Sequence, residues 1–198
     1  MSTEIFKLVV CSSGGGGNFQ AILNAAKTLD IDVALLIADR ECGAVDRAIQ
    51  HSVPWVRLDI SGGRPQTFEH FESVIPADID LIVLAGFMPI VPPDTCNKWV
   101  GKMINTHPSL LPSYGGKGMY GVKVQEAVMA AREKYAGCTV HFVDHQIDGG
   151  KTILQRSLEV DYQATPWQLG GRIFEAENRL IVDAIKLVKD NPNLYWEI

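Results

Sequence analysis

Short apolar runs alternate with segments of helical period along most of the chain. Continuous runs of β-branched and apolar residues predict strands, and apolar residues recurring every three or four positions predict helices. The run Asp80–Ala85 is apolar without alternation, which is typical of a strand buried on both faces. The predicted strands are Lys7–Cys11, Ile31–Ala38, Val53–Leu58, Asp80–Ala85, Lys102–Asn105, Gly137–Val143 and Thr152–Val160, and the predicted helices are Asn18–Thr28, Gly43–Gln50, Gln66–Val74, Val122–Lys134 and Pro166–Lys189.

This repeated order of strands and helices predicts an α/β fold. We expect a doubly wound, mainly parallel, Rossmann-like sheet with helices on both faces. No internal repeat, low-complexity tract or linker interrupts the pattern, so a single domain over residues 1–198 is expected. Such sheets bind their ligands at the carboxyl ends of the strands, and the polar motifs should therefore follow strands.

Composition narrows the classes of function. A net charge of −5 with 18 Lys and Arg residues argues against a dedicated nucleic-acid binder. No apolar stretch reaches the ~18 residues of a membrane helix, and the first residues lack the features of a signal peptide. The four cysteines are far apart without a C-x-x-C pair, which favours free thiols in a reducing compartment. We therefore expect a cytoplasmic protein without membrane partners; the pattern is compatible with a homodimer.

A glycine-rich loop, Ser12–Asn18, separates the first predicted strand from the first predicted helix. Glycines let a ligand approach the backbone, and a helix N-terminus attracts anions, so Gly16, Gly17 and Asn18 are candidate phosphate ligands. The third glycine of a dinucleotide motif is missing, as is the lysine of a P-loop, so the loop favours a monophosphate. The alternative is a βα turn without a ligand.

Asn105 and His107 lie two residues apart at the end of a predicted strand, and on extended backbone both project to one side. A carboxamide can donate to a developing oxyanion, and an imidazole can carry protons near pH 7. Asp148 is a candidate partner that would orient His107 and favour its imidazolium form. The alternatives are a structural histidine and an ordinary Asp-Gly turn.

A metal site is not expected. His141 and His145 are four residues apart, which on a strand corresponds to ~13 Å, too far for a shared metal ion. Cys138 lies near them but has no helix N-terminus to activate its thiol, so a small buried residue is favoured there.

Five ordered motifs together resemble the phosphoribosylglycinamide formyltransferases, a folate-dependent formyltransferase family, over about Lys7–Val188. The motifs are Ser13–Asn18, Val83–Met88, Asn105–Pro112, Gly137–Val143 and Ile147–Gly150. The resemblance implies transfer of a formyl group from 10-formyltetrahydrofolate to the amine of glycinamide ribonucleotide in de novo purine biosynthesis.

The resemblance also implies roles for individual residues. Asn105 and His107 would stabilise a tetrahedral intermediate, with Asp148 orienting and charging His107. The substrate phosphate would bind at Gly16, Gly17 and Asn18, and no metal would be required. The remaining implied contacts are Met88, Pro108 and Glu177 for the substrate, and Pro89, Ile90, Val91, Asn105, Val143, Ile147 and Asp148 for the folate.

The sequence departs from the family pattern at several positions. A basic residue is common in the family where Pro89 stands, a serine where Gly17 stands, a polar residue where Phe174 stands and an acidic one where His145 stands. Lys117, in a variant glycine-rich loop, is a candidate contact for an anionic ligand. These departures keep two alternatives open: a formyltransferase for another small amine, such as an amino sugar nucleotide, and a non-catalytic folate- or phosphate-binding module. The extra domains of the methionyl-tRNA formyltransferases and the formyltetrahydrofolate hydrolases are not expected.

Overall fold

The computed structural model describes residues 5–197. Its backbone contacts divide the chain into two compact units at the junction of Asn105 and Thr106, so the single domain expected from the sequence stays a prediction. The first unit holds β1 (Phe6–Ser12), α1 (Gly17–Leu29), β2 (Ile31–Ala38), α2 (Gly43–Gln50), β3 (Trp55–Arg57), α3 (Arg64–Val74), β4 (Leu81–Leu84), α4 (Pro93–Lys98) and the start of β5 (Met103–His107). The second holds the end of β5, α5 (Val122–Ala130), β6 (Tyr135–Phe142), β7 (Thr152–Glu159), α6 (Pro166–Asp190) and α7 (Leu194–Glu197).

The strands are hydrogen-bonded in the order β3-β2-β1-β4-β5-β6-β7, which confirms the predicted mainly parallel α/β sheet. In the first unit β1 pairs in parallel with β2 and β4, β2 with β3, and β4 with β5. The chain therefore winds one way from β1 to β3 and the other way from β4 to β5. The switch point lies between β1 and β4, and a crevice at their carboxyl ends is where such sheets bind ligands.

The second unit pairs β6 and β7 as antiparallel neighbours, with Cys138 opposite Arg156. Helix α6 packs on both strands through a buried stripe that includes Leu169, Ile173 and Leu180. A capping box fixes the start of this helix. Thr165 Oγ1 accepts the Gln168 N–H and the Gln168 side chain accepts the Thr165 N–H, while Pro166 occupies the first helical position. This helix begins where the sequence predicts and runs one residue further, to Asp190.

The core of the first unit consists of the strands that read as continuous apolar runs. Residues Leu8–Cys11 and Leu81–Val83 are fully buried, as expected of central strands covered on both faces. These strands are central in the sheet, and their order and register determine which loops meet at the switch point.

Some element boundaries differ from the sequence prediction. The predicted helix Val122–Lys134 ends at Ala130, because Arg132 adopts a left-handed conformation and Glu133 N–H bonds back to the Val128 carbonyl. The left-handed residue after a helix is usually glycine, so an arginine at this position does not indicate in the sequence that the helix ends. The short helices α4 and α7 were not predicted, and β3 is shorter than the predicted Val53–Leu58.

No helix within residues 5–197 is long and apolar enough to cross a membrane. The four cysteines are free; Cys11, Cys96 and Cys138 are buried and Cys42 is half-buried. Burial, followed by the negative charge of Glu177, raises the pKa of Cys138 to about 12. A thiol with so high a pKa is a packing residue rather than a nucleophile, in agreement with the sequence prediction.

Candidate active site

The glycine loop sits at the switch point of the first unit. Gly16 has φ +73° and precedes α1; a Cβ there would lie 2.7 Å from the Ala44 Cα, so both conformation and space require glycine. The loop is held from the side of α2, since Ala44 N–H donates to the Gly14 carbonyl at 3.1 Å and Arg47 Nε to the Gly15 carbonyl at 2.9 Å. Gly17 and Asn18 open α1 immediately after this fixed turn. Such a loop has the shape of an anion site at a helix N-terminus.

Ser13 joins the glycine loop to the segment after β4. Its N–H donates to the Gly86 carbonyl at 3.0 Å, and its Oγ accepts the Met88 N–H at 2.8 Å. Buried Asp39 stands next to it at the end of β2; burial alone would favour the neutral acid, but hydrogen bonds from Arg40 and Ser13 hold the Asp39 pKa below its ordinary value. The charged carboxylate therefore helps to fix Ser13, and through it the glycine loop and the segment after β4.

The segment Met88–Val91 leaves apolar surface uncovered beside the switch point. Met88 is 45% exposed and Ile90 43% exposed, whereas Pro89 and Val91 are half-buried. Large apolar side chains with this exposure are a natural wall for a flat aromatic ligand.

Strand β5 carries Asn105 and His107 at its carboxyl end. Asn105 is half-buried and pairs in register with Leu84 of β4. Because side chains alternate along a strand, Asn105 and His107 project to the same side, as predicted.

The His107 ring is 4% exposed and both of its nitrogens face oxygen atoms. Nε2 lies 2.9 Å from the Tyr114 carbonyl oxygen, which can only accept, so Nε2 carries a hydrogen. Nδ1 lies 3.4 Å from Asp148 Oδ2. Both ring nitrogens therefore face acceptor oxygens, which fixes the orientation of the imidazole.

Asp148 is held against His107 by the loop that follows β5. Its Oδ2 also accepts the Gly116 N–H at 2.9 Å, and its backbone is left-handed, with φ +57°. A Cβ on Gly115 would lie 2.5 Å from Leu111 Cδ2 and 3.3 Å from Asp148 Cβ, so that glycine permits the close approach. The structure thus brings together the histidine and the carboxylate that the sequence proposes as partners.

A second histidine, His141, faces the other carboxylate oxygen. Its Nε2 lies 3.8 Å from Asp148 Oδ1, and its Nδ1 donates to the Phe142 carbonyl at 2.8 Å. Burial lowers the pKa of His141 despite the opposing effects of the Phe142 carbonyl and Asp148. The lowered pKa favours the neutral form of the His141 imidazole beside this carboxylate.

The lowered pKa of His141 predicts an acid-sensitive contribution to stability. An unfolded histidine takes up a proton below about pH 6.5, whereas folded His141 resists it, so stability is lost as the pH falls below that value. Urea unfolding of the wild type and of His141→Asn at pH 7 and pH 5 should show a smaller difference between the two proteins at pH 5. A pH-independent difference at position 141 would contradict the assignment.

Polar side chains of α5, β6 and β7 fix the segment Thr106–Tyr114. Thr139 Oγ1 donates to the Ser109 carbonyl at 2.6 Å and accepts the Leu111 N–H at 3.0 Å. Gln155 Nε2 donates to both the Leu111 carbonyl and Thr139 Oγ1, and Gln125 Nε2 donates to the Pro108 carbonyl at 3.0 Å. The loop that presents His107 is thereby fastened to α5, β6 and β7.

Removing the Thr139 hydroxyl should destabilise the protein. Thr139→Val keeps the shape of the side chain but leaves the Leu111 N–H and the Ser109 carbonyl without this partner. Burying two such groups without their hydrogen bonds lowers the free energy of unfolding by about 3 kcal/mol. Chemical denaturation should show this loss, while Thr152→Val, at an exposed position of β7, should be near neutral. Equal stabilities of the two variants would contradict the role of the hydroxyl.

The remaining candidates of the second unit differ in exposure. Pro108 is half-buried beside His107, Val143 is half-buried, and Ile147 next to Asp148 is 42% exposed. Glu177 is buried on α6 and close enough to Cys138 to raise its pKa, and exposed Phe174 precedes it by one turn. His145 lies in the exposed loop beyond β6, so the prediction that His141 and His145 lie on one strand is wrong.

Sequence reasoning missed the groups that complete the pair. The Tyr114 carbonyl and the Gly116 N–H are backbone atoms, for which a sequence gives no signal. His141 was considered only as a metal ligand; its position at the carboxyl end of β6, the strand before the Asp148 loop, was the available clue. Within residues 5–197, no group of three or more His, Cys, Asp or Glu residues could hold a metal ion.

Comparison with known proteins identifies the family of the chain. Residues 6–185 match the family model described as formyl transferase, and the chain belongs to that family. It is 33% identical over 186 residues to the chloroplastic phosphoribosylglycinamide formyltransferase of Vigna unguiculata, covering 91% of this chain and 60% of the relative. It is also 33% identical to the trifunctional purine biosynthetic protein adenosine-3 of Homo sapiens, covering 92% of this chain and 18% of the relative.

Among solved structures, glycinamide ribonucleotide transformylase 1 from Symbiobacterium toebii superposes with a TM-score of 0.87 at 31% identity, covering 94% of this chain and 88% of that one. The fold and family predicted from the sequence are therefore confirmed. This chain spans less than two thirds of the length of the Vigna unguiculata relative.

Proposed function

We propose that the protein transfers the formyl group of 10-formyltetrahydrofolate to the primary amine of glycinamide ribonucleotide, as a step of purine biosynthesis. The observation that carries this proposal is the His107 imidazole held between the Tyr114 carbonyl and the Asp148 carboxylate, in a chain of the formyl transferase family. The names of the relatives support formyl transfer and the choice of acceptor.

The reaction requires a site that stabilises an oxyanion and moves one proton. The neutral amine attacks the formyl carbon, and the carbonyl oxygen acquires negative charge in a tetrahedral intermediate. Collapse breaks the bond from that carbon to the folate nitrogen, and the proton lost by the amine goes to this nitrogen. Neither a covalent enzyme intermediate nor a change of oxidation state is needed for the balance.

His107 and Asn105 are assigned to the oxyanion. Because Nε2 is engaged by the Tyr114 carbonyl, a substrate oxygen would approach the proton on Nδ1 and share it with the Asp148 carboxylate. Asp148 keeps this ring charged and oriented, and its carboxylate can accept a proton during the transfer. The Asn105 amide, on the same side of β5, supplies the second donor.

The glycine loop is assigned to the phosphate of the acceptor, with Gly16, Gly17 and Asn18 at the start of α1. Binding energy from the remote phosphate then aligns the amine without contacting it. Met88, Pro108 and Glu177 are assigned to the rest of this substrate, with Glu177 receiving its polar groups.

The pterin of the donor is assigned to the apolar surfaces. The exposed side chains of Met88, Ile90 and Ile147 fit such a ring, because a flat aromatic ligand would cover apolar surface that water now contacts. Pro89, Val91, Asn105, Val143 and Asp148 are assigned to the same donor. We further propose a cytoplasmic location and no requirement for a metal, a nucleic acid or a membrane. Size-exclusion chromatography with light scattering tests whether the protein forms a homodimer.

The test is a coupled comparison of acceptors. Purified protein is incubated with 10-formyltetrahydrofolate and either glycinamide ribonucleotide or an amino sugar nucleotide, and the absorbance change on loss of the formyl group is followed alongside mass spectrometry of the amine. We expect rapid formylation of the ribonucleotide alone.

Two other outcomes have definite meanings. Preference for the amino sugar would support the alternative acceptor, for which exposed Phe174 beside Glu177 is the motivating feature. Release of formate without a formylated amine would show hydrolysis and overturn the transferase assignment, and binding of the folate without turnover would indicate a non-catalytic module.

A further inference from the structure

The loop that carries Asp148 closes through a narrow base. Residues 143–150 connect β6 to β7, and the Phe142 N–H donates to the Lys151 carbonyl at 2.8 Å. Gly150 has no space for a Cβ, because the Phe142 carbonyl oxygen occupies it. Beyond this base the loop turns through the left-handed backbone of Asp148, a conformation that a non-glycine residue keeps only with support from its surroundings.

The short helix α7 supplies contacts to both residues of that base. The Tyr195 ring meets the Phe142 ring edge-on, with centroids 5.1 Å apart. Lys151 Nζ donates to the Tyr195 carbonyl at 2.8 Å and lies 4.8 Å from the centroid of the Tyr195 ring. One residue therefore holds the two ends of the catalytic loop, outside the part of the loop that faces His107.

We propose that Tyr195 is a positioning residue for Asp148, an inference that rests on the proposed function for its kinetic consequence. The distance between His107 Nδ1 and Asp148 Oδ2 is already 3.4 Å, so a small outward movement of the loop base separates the pair. Tyr195 contacts Phe142 and Lys151 at the base of the loop that carries Asp148, so its support acts on the chemical step. Loss of the Tyr195 ring thus lowers kcat while the KM for the phosphate-bearing substrate stays constant.

Three variants test this role. Tyr195→Ala removes the ring contacts, and Tyr195→Phe keeps them. Trp196→Ala removes a side chain that is 71% exposed and meets the Tyr195 ring edge-on, while the contacts of Tyr195 with Phe142 and Lys151 stay in place. We expect Tyr195→Ala to lower kcat about tenfold with KM for glycinamide ribonucleotide unchanged, because slight misplacement of a catalytic group is costly. Tyr195→Phe should restore the wild-type kcat, and Trp196→Ala should retain it. A folded Tyr195→Ala protein with wild-type kcat, or equal losses in the two alanine variants, would overturn the inference.

Amide hydrogen exchange separates this inference from the proposed function. In Tyr195→Ala, peptides covering residues 143–150 should exchange faster than in the wild type or in Trp196→Ala, while peptides of β1 and β4 stay protected. This readout requires no substrate, so it applies even if the wild type fails to formylate glycinamide ribonucleotide. Unchanged exchange in that loop would refute the positioning role, whatever the acceptor.

Discussion

We expect Asp148→Asn to lower kcat for formyl transfer by about 10³-fold, or about 4 kcal/mol in the barrier. The asparagine side chain has the same shape, tolerates a left-handed backbone, and can still accept the Gly116 N–H. It carries no charge, so it neither stabilises the His107 imidazolium nor accepts a proton. Steady-state kinetics should show the loss in kcat, with little change in the KM for glycinamide ribonucleotide.

Asp144 provides the matched control for this experiment. It lies in the same loop, and its Oδ1 accepts the Gln146 N–H at 2.8 Å, so Asp144→Asn removes a negative charge without touching His107. The control should keep kcat within about twofold of the wild type. If both variants lose activity equally, the effect belongs to the loop's charge or fold and Asp148 has no special role.

The second large effect is expected for His107→Asn. Loss of the imidazolium removes both an oxyanion donor and the partner of Asp148, and we expect a fall in kcat of about 10³- to 10⁴-fold. The Asn side chain fills less of the buried position, so circular dichroism and a thermal melt should accompany the kinetics. A variant that folds and retains wild-type kcat would exclude His107 from the chemistry.

The double variant tests whether the two residues act as a unit. Independent contributions would multiply, whereas a carboxylate that works only through the imidazole has nothing left to stabilise once the ring is absent. The variant with both Asp148→Asn and His107→Asn should therefore be about as slow as His107→Asn alone. Multiplied losses would show that Asp148 acts on the substrate directly.

Much of the fold could be predicted because its strands read as uninterrupted apolar runs. The boundaries of β2 and α2 match the prediction residue for residue, since each is flanked by clear turn or helix signals. The end of α5 could not be predicted, because an arginine occupies the left-handed position. The short α4 and α7 are held by packing rather than by any periodic pattern.

The candidate site was predictable only for side chains with distinctive chemistry. Asn105, His107 and Asp148 stand out by residue type and by their place after strands, and the structure places the latter two within 3.4 Å. The Tyr114 carbonyl and the Gly116 N–H belong to the backbone, which every residue carries, so no pattern distinguishes them. Ser13 was equally hidden, because its importance depends on the order of β1 and β4 in the sheet.

The hydrogen bond from His107 to Tyr114 has a spectroscopic consequence. The Nε2 proton belongs to a side chain that is 4% exposed and is bonded to a carbonyl 2.9 Å away, so its exchange with water is slow. Such an imidazole proton gives a nuclear magnetic resonance line at lower field than the backbone amides. That line observes the ring directly in the unlabelled wild-type protein, and it moves whenever a ligand redistributes charge at the opposite nitrogen.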